Sequence, residues 1–198
     1  MIMTGKPILF STPMVRAILR GESPKTVTRR LVVPQPDIRS CRFVDGIIEE
    51  YRGYPAGHAD ILHRSPYKPG DRLWVRETWQ HIEGASGRGY AYKAGGGVHN
   101  DTGKWRPSIH IPRAASRITL EVASVRAERL RDITEEDVRA EGVELYAPRL
   151  ESEAGANAWR ATTPRTKFCS LWDSLYAQRG FGWDTNPLVW RVQFRRVK

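Results

Sequence analysis

The stretch DRLWVRETW, residues 71–79, alternates apolar residues with charged or polar ones. This period of two predicts a β-strand, because successive side chains of a strand point to opposite faces of a sheet. Leu73, Val75, Glu77 and Trp79 then share the face that points toward the core. A buried carboxylate is costly unless it is paired, so Glu77 is either held in an ion pair or tuned for acid–base chemistry.

Other short segments carry the same signals of strand structure, namely β-branched or aromatic residues and, in several cases, alternation. Many short strands with few helices are typical of a barrel. We therefore expect an α+β fold that is mainly β, built as a closed or partly open β-barrel. The predicted strands are residues 7–10, 30–33, 43–51, 71–80, 90–93, 117–125 and 188–197.

Three flanking helices are predicted from their start and stop signals, at residues 12–21, 134–142 and 163–180. The first and third open with Thr-Pro and end at glycine, as helices commonly do. The second opens with a capping-box pattern in which Asp replaces the usual Glu. The third helix carries an aromatic stripe that is most often core packing, formed by Phe168, Leu171, Trp172 and Leu175.

The chain of 198 residues is expected to form a single domain, residues 1–198. Glycine-rich residues 84–103 and polar residues 147–163 are predicted to be loop insertions in it. Nowhere do about 18 apolar residues run together, and the N-terminus lacks the apolar stretch of a signal peptide. We therefore expect no membrane partner and a cytoplasmic location.

The chain is basic, with 32 Lys and Arg against 22 Asp and Glu and a net charge of +10. This balance favours an anionic partner, and nucleic acid is the first candidate. Basic proteins that bind no polyanion are nevertheless common. Residues 132–153 reverse the balance, with eight acidic and two basic groups. Such asymmetry predicts one basic face and one acidic appendage.

No cofactor and no metal site are expected from the sequence. Cys41 and Cys169 are far apart, and the spacing of His58 and His63 matches no standard zinc pattern. Residues 95–97 are a run of glycines that lacks the lysine and following helix of a phosphate-binding loop.

Residues 25–30, KTVTRR, place one amine, two hydroxyls and two guanidiniums between a predicted helix and a predicted strand. Guanidiniums bind phosphate or a base edge, and a lysine in a partly dry cleft can lose its proton and act as a base. Arg29 and Arg30 are therefore candidate ligand-binding residues. The alternative interpretation is a solvated basic turn.

Residues 104–113, KWRPSIHIPR, combine cations, a tryptophan and a histidine in a loop. Aromatic and arginine planes stack on unpaired bases, and cations contact phosphate. The alternative is a stiff crossover loop in which the tryptophan only covers the end of the sheet. The candidate binding residues here and on the neighbouring strand are Trp79, Trp105, Arg106, His110 and Arg113.

These motifs together resemble the ASCH family of the PUA-like superfamily. Lys25, Thr28 and Arg30 match the family's signature of lysine, two residues, threonine, one residue and arginine, whereas its glycine stands two positions farther upstream, at Gly21. Residues 68–79 match as well. Residues 104–120, 132–137 and 171–174 resemble an uncharacterised branch often carried by phages or prophages. The resemblance implies a PUA-like barrel whose cleft reads a nucleobase or nucleotide.

Some bacterial members of that family are amidohydrolases that deacetylate N(4)-acetylcytidine with a lysine, a threonine and a glutamate. By motif position these are Lys25, Thr28 and Glu77. A neutral Lys25 would take the proton of Thr28, Thr28 would attack the acyl carbon, and Glu77 would protonate the departing amine. The resemblance thus implies a nucleic acid or modified nucleoside as partner.

Two alternative functions belong to other classes. One is a non-catalytic RNA- or DNA-binding module or a ribonuclease of a phage, since other members of the family are described in these terms. The other is a phage accessory protein that engages a host protein through acidic residues 132–153; the sequence does not identify that partner.

Overall fold

The computed structural model describes residues 5–21, 24–37, 39, 41–44, 47–50, 61–84, 87–96, 104–143, 159 and 162–197. Strands predominate in these residues and three α-helices flank them, which confirms a mainly β, α+β fold. The strands are β1 (Lys6–Leu9), β2 (Val27–Leu31), β3 (Cys41–Val44), β4 (Ile47–Glu50), β5 (Ile61–Arg64), β6 (Arg72–Arg76), β7 (Trp79–Gly84), β8 (Gly87–Tyr92), β9 (Thr119–Arg129) and β10 (Leu188–Arg196). The helices are α1 (Thr12–Leu19), α2 (Glu135–Ala140) and α3 (Pro164–Tyr176).

Five strands form the central sheet, in the order β1-β6-β9-β10-β2. Its strand pairs are antiparallel except β1 with β6. Two smaller antiparallel sheets are formed by β3-β4-β5 and by β7-β8. No backbone ladder joins the edge strands β1 and β2 within the described ranges, so a closed barrel is not confirmed. Instead, Nη2 of Arg30 on β2 donates to the Leu9 carbonyl of β1 at 2.7 Å.

The main core lies between α1 and the central sheet. Met14, Val15 and Ile18 of α1 pack in one cluster with Leu73 and Val75 of β6, and each is at most 7% exposed. The alternation read from the sequence of β6 is therefore confirmed. It is this packing that fixes α1 across the sheet.

A second core cluster covers the opposite face of β10. There Val189 packs with Val138 of α2 and with Phe168 and Trp172 of α3. The first five residues of β10 are all buried, because both faces of the strand are covered. The aromatic stripe of α3 is thus core packing at Phe168 and Trp172, whereas Leu175 is 57% exposed.

The capping signals locate all three helices. The Thr134 hydroxyl accepts from Asp137 N at 3.1 Å, and the Thr163 hydroxyl accepts from Thr166 N at 3.2 Å. α1 begins one position earlier than its signal indicates, since its N-cap is Ser11. None of the helices in the described residues is long and apolar enough to cross a membrane.

Several predicted strand limits are wrong. β2 begins at Val27, three residues before the predicted start, and places Thr28 to Arg30 within the sheet. Residues 71–80 divide into β6 and β7 because the chain pairs with β8 from Trp79 onward, and the backbone of Trp79 also pairs with that of Arg106. β5 was not predicted. The predicted insertion at 84–103 contains β8 and a short 3-10 helix, Lys93–Gly95. Residues 85–86 and 97–103 of it, and most of 147–163, lie outside the described residues.

Buried ion pairs hold α2 against the central sheet. Asp137 of α2 accepts from Arg29 Nη2 at 2.6 Å and from Arg191 Nε and Nη2 at 2.9 and 2.6 Å. Arg29 and Arg191 lie opposite each other on β2 and β10, so the carboxylate separates two like charges. Hydrogen bonds from Arg191, followed by those from Arg29, lower the pKa of Asp137 to about 2.

We predict that Asp137→Asn lowers the free energy of unfolding at pH 7 by about 3–5 kcal/mol, because the buried Arg191 loses the carboxylate that it binds and Arg29 loses one of its three. The pKa of Asp137 lies below its ordinary value of 3.8, so its contribution is complete above that value and is lost as the pH falls toward 2. The difference between wild type and variant should therefore narrow by on the order of 1–2 kcal/mol between pH 5 and pH 2.

Urea denaturation across this pH range measures the difference. The matched control is Glu136→Gln, an exposed position of the same helix, which should change stability by less than about 0.5 kcal/mol. A difference between wild type and Asp137→Asn that does not change with pH would contradict the proposed ion pairing.

Candidate functional site

A pocket of about 560 Å³ lies between both edge strands of the central sheet and α3. One wall is apolar and consists mainly of side chains of α3 and of the β1–α1 junction. The other wall is polar and comes from β2, from the end of α2 and from the loops after β6 and before β9. The polar residues on which the site is built are Ser11, Lys25, Thr28, Arg30, Thr78, Ser108 and Glu141.

Lys25 lies at the base of the pocket, which is called the pocket floor below, and is only 2% exposed. Its Nζ donates to the Val27 carbonyl at 2.7 Å, to the Glu141 carbonyl at 2.8 Å and to Glu141 Oε2 at 2.6 Å. All three protons of an ammonium are thus directed to acceptors. Burial lowers the pKa of Lys25, and the charge and hydrogen bond of Glu141 oppose that shift. Lys25 is therefore a buried amino group that is held by two backbone carbonyls and by one carboxylate, Glu141.

The backbone around Lys25 explains why Glu141 reaches it. Lys25 N donates to the Ala17 carbonyl of α1 at 2.9 Å, which fixes the segment against that helix. Gly142, just after α2, has a φ of +71°, and a Cβ there would lie 2.6 Å from Ala17 Cβ and 3.2 Å from Lys25 Cβ. Only a glycine allows so close an approach in this conformation. The end of α2 therefore carries the Glu141 carboxylate to the amine.

Thr28 and Arg30 leave donors available to a ligand. Thr28 is 5% exposed, lines the pocket, and its hydroxyl has no hydrogen-bond partner in the part of the chain that the structure describes. No hydrogen bond joins it to Lys25 Nζ in those residues. The Arg30 guanidinium lies 5.2 Å from the centroid of the Phe10 ring, and its Nε is buried without a partner among the described atoms.

Arg29 also lines the pocket but is bound inside the protein. Its guanidinium donates to Glu128 Oε1, Asp137 Oδ2 and Glu141 Oε1 at 2.8, 2.6 and 3.2 Å. With its side chain 1% exposed, Arg29 acts as the counterion of these carboxylates. Of the two predicted arginines, Arg30 is the one that offers free donors to a ligand.

Glu77 is not brought to this pocket. Its carboxylate is 1% exposed and accepts from Arg117 Nε at 2.9 Å and from Arg117 Nη2 at 3.0 Å. Arg117 in turn lies 4.3 Å from the ring centroid of Tyr92. Of the two alternatives for a buried Glu77, the structure has the ion pair. The catalytic roles of Lys25, Thr28 and Glu77 stay predictions, and the carboxylate that lines the pocket is Glu141.

The predicted binding residues of the 104–113 loop and of β7 lie outside the pocket, which takes Ser108 from this loop. Trp79 is 2% exposed, beneath the Arg106 guanidinium at 5.4 Å. Trp105 is half-buried and His110 is exposed. The Arg113 guanidinium lies 5.7 Å from the Trp74 ring. None of these residues lines the pocket, and their role in binding stays a prediction.

Other titratable groups are engaged away from the pocket. His63 Nε2 lies 2.7 Å from Glu50 Oε2, and both side chains are buried. Burial, with the charges of Glu50 and Asp37, raises the pKa of the Cys41 thiol. The described residues contain no group of three or more His, Cys, Asp or Glu side chains that could hold a metal ion.

The polar pocket residues that the sequence did not reveal are Ser11, Thr78, Ser108 and Glu141, and among them Glu141 is the one that binds Lys25. It lies 116 positions from Lys25 in the chain. The available signals were the helix-start pattern at Thr134 and the glycine at 142, which together predict that the helix ends next to Glu141 in the chain. Neither signal indicates which surface that helix end contacts.

Comparisons of the chain with models of protein families, with curated proteins and with solved structures found no match. The resemblance to the ASCH family therefore rests on the motif residues quoted above.

Proposed function

We propose that the pocket binds the base of a nucleoside or of an unpaired nucleotide. A planar heterocycle requires an apolar surface on its faces and hydrogen-bonding groups at its edge. Phe10, Trp172 and the other apolar side chains of the pocket offer a surface for the faces of the base. Thr28 and Arg30 offer hydrogen-bonding groups for its edge. The observation that carries the proposal is Thr28, which is 5% exposed and lines the pocket, and whose hydroxyl has no hydrogen-bond partner among the described residues.

The size of the pocket agrees with this ligand class. Its volume of about 560 Å³ lies within the range of roughly 300–1,000 Å³ found for small-molecule sites. A base inside a duplex cannot enter such a pocket without leaving its stack. The ligand is therefore a free nucleoside, a nucleotide or a base in a single strand.

The proposal extends to the fold. We infer that the central sheet is the partly open barrel of a PUA-like domain, as the ASCH-like motifs imply. The hydrogen bond from Arg30 to the Leu9 carbonyl supports this inference because it links the two edge strands at the pocket. A cleft between such edges is where the family resemblance implies that a base is read.

A second candidate function is hydrolysis of an N-acylated cytosine, and the lowered pKa of Lys25 favours it. A neutral Lys25 keeps two of its three hydrogen bonds and frees a lone pair for the proton of Thr28. The Thr28 oxygen then bonds to the acyl carbon, the C–N bond breaks, and the amine leaves with the proton returned by Lys25. Water cleaves the acyl-threonine ester, which releases the acid and restores the hydroxyl.

This reaction assigns Glu141 a positioning role. Because Oε2 of Glu141 lies 2.6 Å from Lys25 Nζ, it holds the amine in place and stabilises the ammonium that forms during attack. Glu77, by contrast, is held by Arg117 and does not line the pocket. Replacement of Glu141 is therefore expected to change the hydrolysis rate and its pH profile, whereas replacement of Glu77 is expected to leave the pH profile in place.

Binding is tested with Thr28→Val, which removes the hydroxyl and keeps the shape of the side chain. Isothermal titration calorimetry with N(4)-acetylcytidine should show affinity lowered about tenfold, the effect of one lost hydrogen bond. The matched control is Thr26→Val, two residues away and outside the pocket lining, which should bind as wild type does. Absence of binding by wild type to cytidine, N(4)-acetylcytidine, cytidine 5′-monophosphate and a cytidine dinucleotide would reject the proposal.

Hydrolysis is tested by chromatographic measurement of cytidine released from N(4)-acetylcytidine. Thr28→Val should abolish turnover, and the rate of wild type should rise with pH as Lys25 loses its proton, at a pKa below its ordinary value of 10.5. Glu141→Gln should reduce the rate and alter that pH profile, whereas Glu77→Gln should leave the profile in place. The reverse pattern would return the catalytic role to Glu77, and no turnover by wild type would reject hydrolysis.

A further inference from the structure

We propose that the pocket contains an anion subsite at the start of α1, so that its ligand is a nucleotide with a phosphate group and not a neutral nucleoside. This inference rests on the proposed base-binding function and names the substrate class for the same pocket. The phosphate can belong to a nucleoside monophosphate or to a single-stranded polynucleotide, because both present the same anionic oxygens.

The first observation is the N-terminus of α1. This helix of eight residues begins beside the pocket, where Ser11, Pro13 and Met14 line the wall. The first N–H groups of a helix have no partner within it, and the helix dipole places positive charge at this end. The Ser11 side chain does not cap the helix, and the first turn contains no acidic residue. Pro13 has no N–H, so the donors that an anion would meet here are the N–H groups of Thr12 and Met14.

The second, independent observation is the set of unpartnered hydroxyls. Thr28 is 95% buried and lines the same pocket without a hydrogen-bond partner in the described residues. The hydroxyls of Ser11, Thr78 and Ser108 line it as well, and none of them makes a hydrogen bond to another described residue. Hydroxyl donors without partners on four separate segments of one pocket lining are suited to an oxygen-rich ligand.

The third observation is the balance of charge at the pocket. Its lining contains three cations, Lys25, Arg29 and Arg30, and one carboxylate, Glu141. Glu141 is shared by Lys25 and Arg29, at 2.6 and 3.2 Å. Arg30 makes no ion pair with a carboxylate in the described part of the chain, and its Nε has no partner there. The uncompensated charge of the pocket is thus a guanidinium, the side chain that best matches phosphate.

These observations divide the pocket by chemistry. The apolar wall from α3 suits the base, and Arg30 with the Ser11 end of α1 suits the phosphate. The contribution of the phosphate to the binding affinity depends on charge, so it should weaken as the salt concentration rises. The contribution of the base should not weaken with salt.

The test compares the affinities of wild type for cytidine, cytidine 5′-monophosphate, a cytidine dinucleotide and inorganic phosphate by calorimetry at low salt. We expect the monophosphate to bind at least about tenfold more tightly than cytidine, as one charge-assisted contact allows. Inorganic phosphate should compete with the monophosphate. A dinucleotide that binds more tightly than the monophosphate would assign the phosphate to a polynucleotide and still support the subsite.

Variants then locate the preference for phosphate. Arg30→Met should bring the ratio of the affinities for cytidine 5′-monophosphate and for cytidine close to one. Ser11→Ala, at an exposed position, should lower this ratio about threefold. Arg139→Met, an exposed arginine of α2 outside the pocket, makes the same change in net charge and should keep the ratio of wild type.

The outcomes separate the two proposals. Equal, measurable affinities for cytidine and its monophosphate overturn the anion subsite and leave the base pocket standing. A preference for phosphate that persists in both Arg30→Met and Ser11→Ala also overturns the subsite. No binding of any of the nucleosides or nucleotides overturns the base-binding function itself.

Discussion

The Glu141 carboxylate, shared by Lys25 at 2.6 Å and Arg29 at 3.2 Å, is the contact on which the pocket depends. Lys25, Arg29 and Arg191 are cations brought close together by β2 and β10, and buried charges of one sign cannot remain without counterions. Asp137 and Glu141 supply them from α2 and its C-terminal end. Docking of α2 therefore supplies these counterions and places Glu141 beside Lys25 at the pocket.

This arrangement changes the interpretation of residues 132–143, the described part of the acidic block at residues 132–153. The sequence suggested an appendage that faces solvent or a partner. In the structure Asp137 and Glu141 are 6% and 5% exposed and are bound by internal cations. Part of the charge asymmetry along the chain is thus an internal pairing between α2 and the basic strands. The cation left for a ligand is Arg30, beside a threonine hydroxyl that has no partner among the described residues.

The local features of the fold were predictable, and the long-range ones were not. Alternation in residues 71–79 gave the buried face of β6, and Thr134 and Thr163 marked two helix starts, because these signals depend on neighbours in the chain. The same alternation showed that Glu77 is buried but not that Arg117, 40 positions away, is its partner. Glu141 required the docking of a helix 116 positions from Lys25. The loop residues Trp105 and Arg106 had suitable chemistry, but only tertiary packing determines which surface they occupy.

The coupling between Lys25 and Glu141 tests the account most directly, and a double-mutant cycle with Lys25→Met, Glu141→Gln and the double variant measures it. If the two groups stabilise each other in a buried site, the free energies of unfolding should be non-additive, with a coupling of at least about 2 kcal/mol in favour of the native pair. Additivity within about 0.5 kcal/mol would show that the two groups do not interact, and the pocket floor described here would not exist.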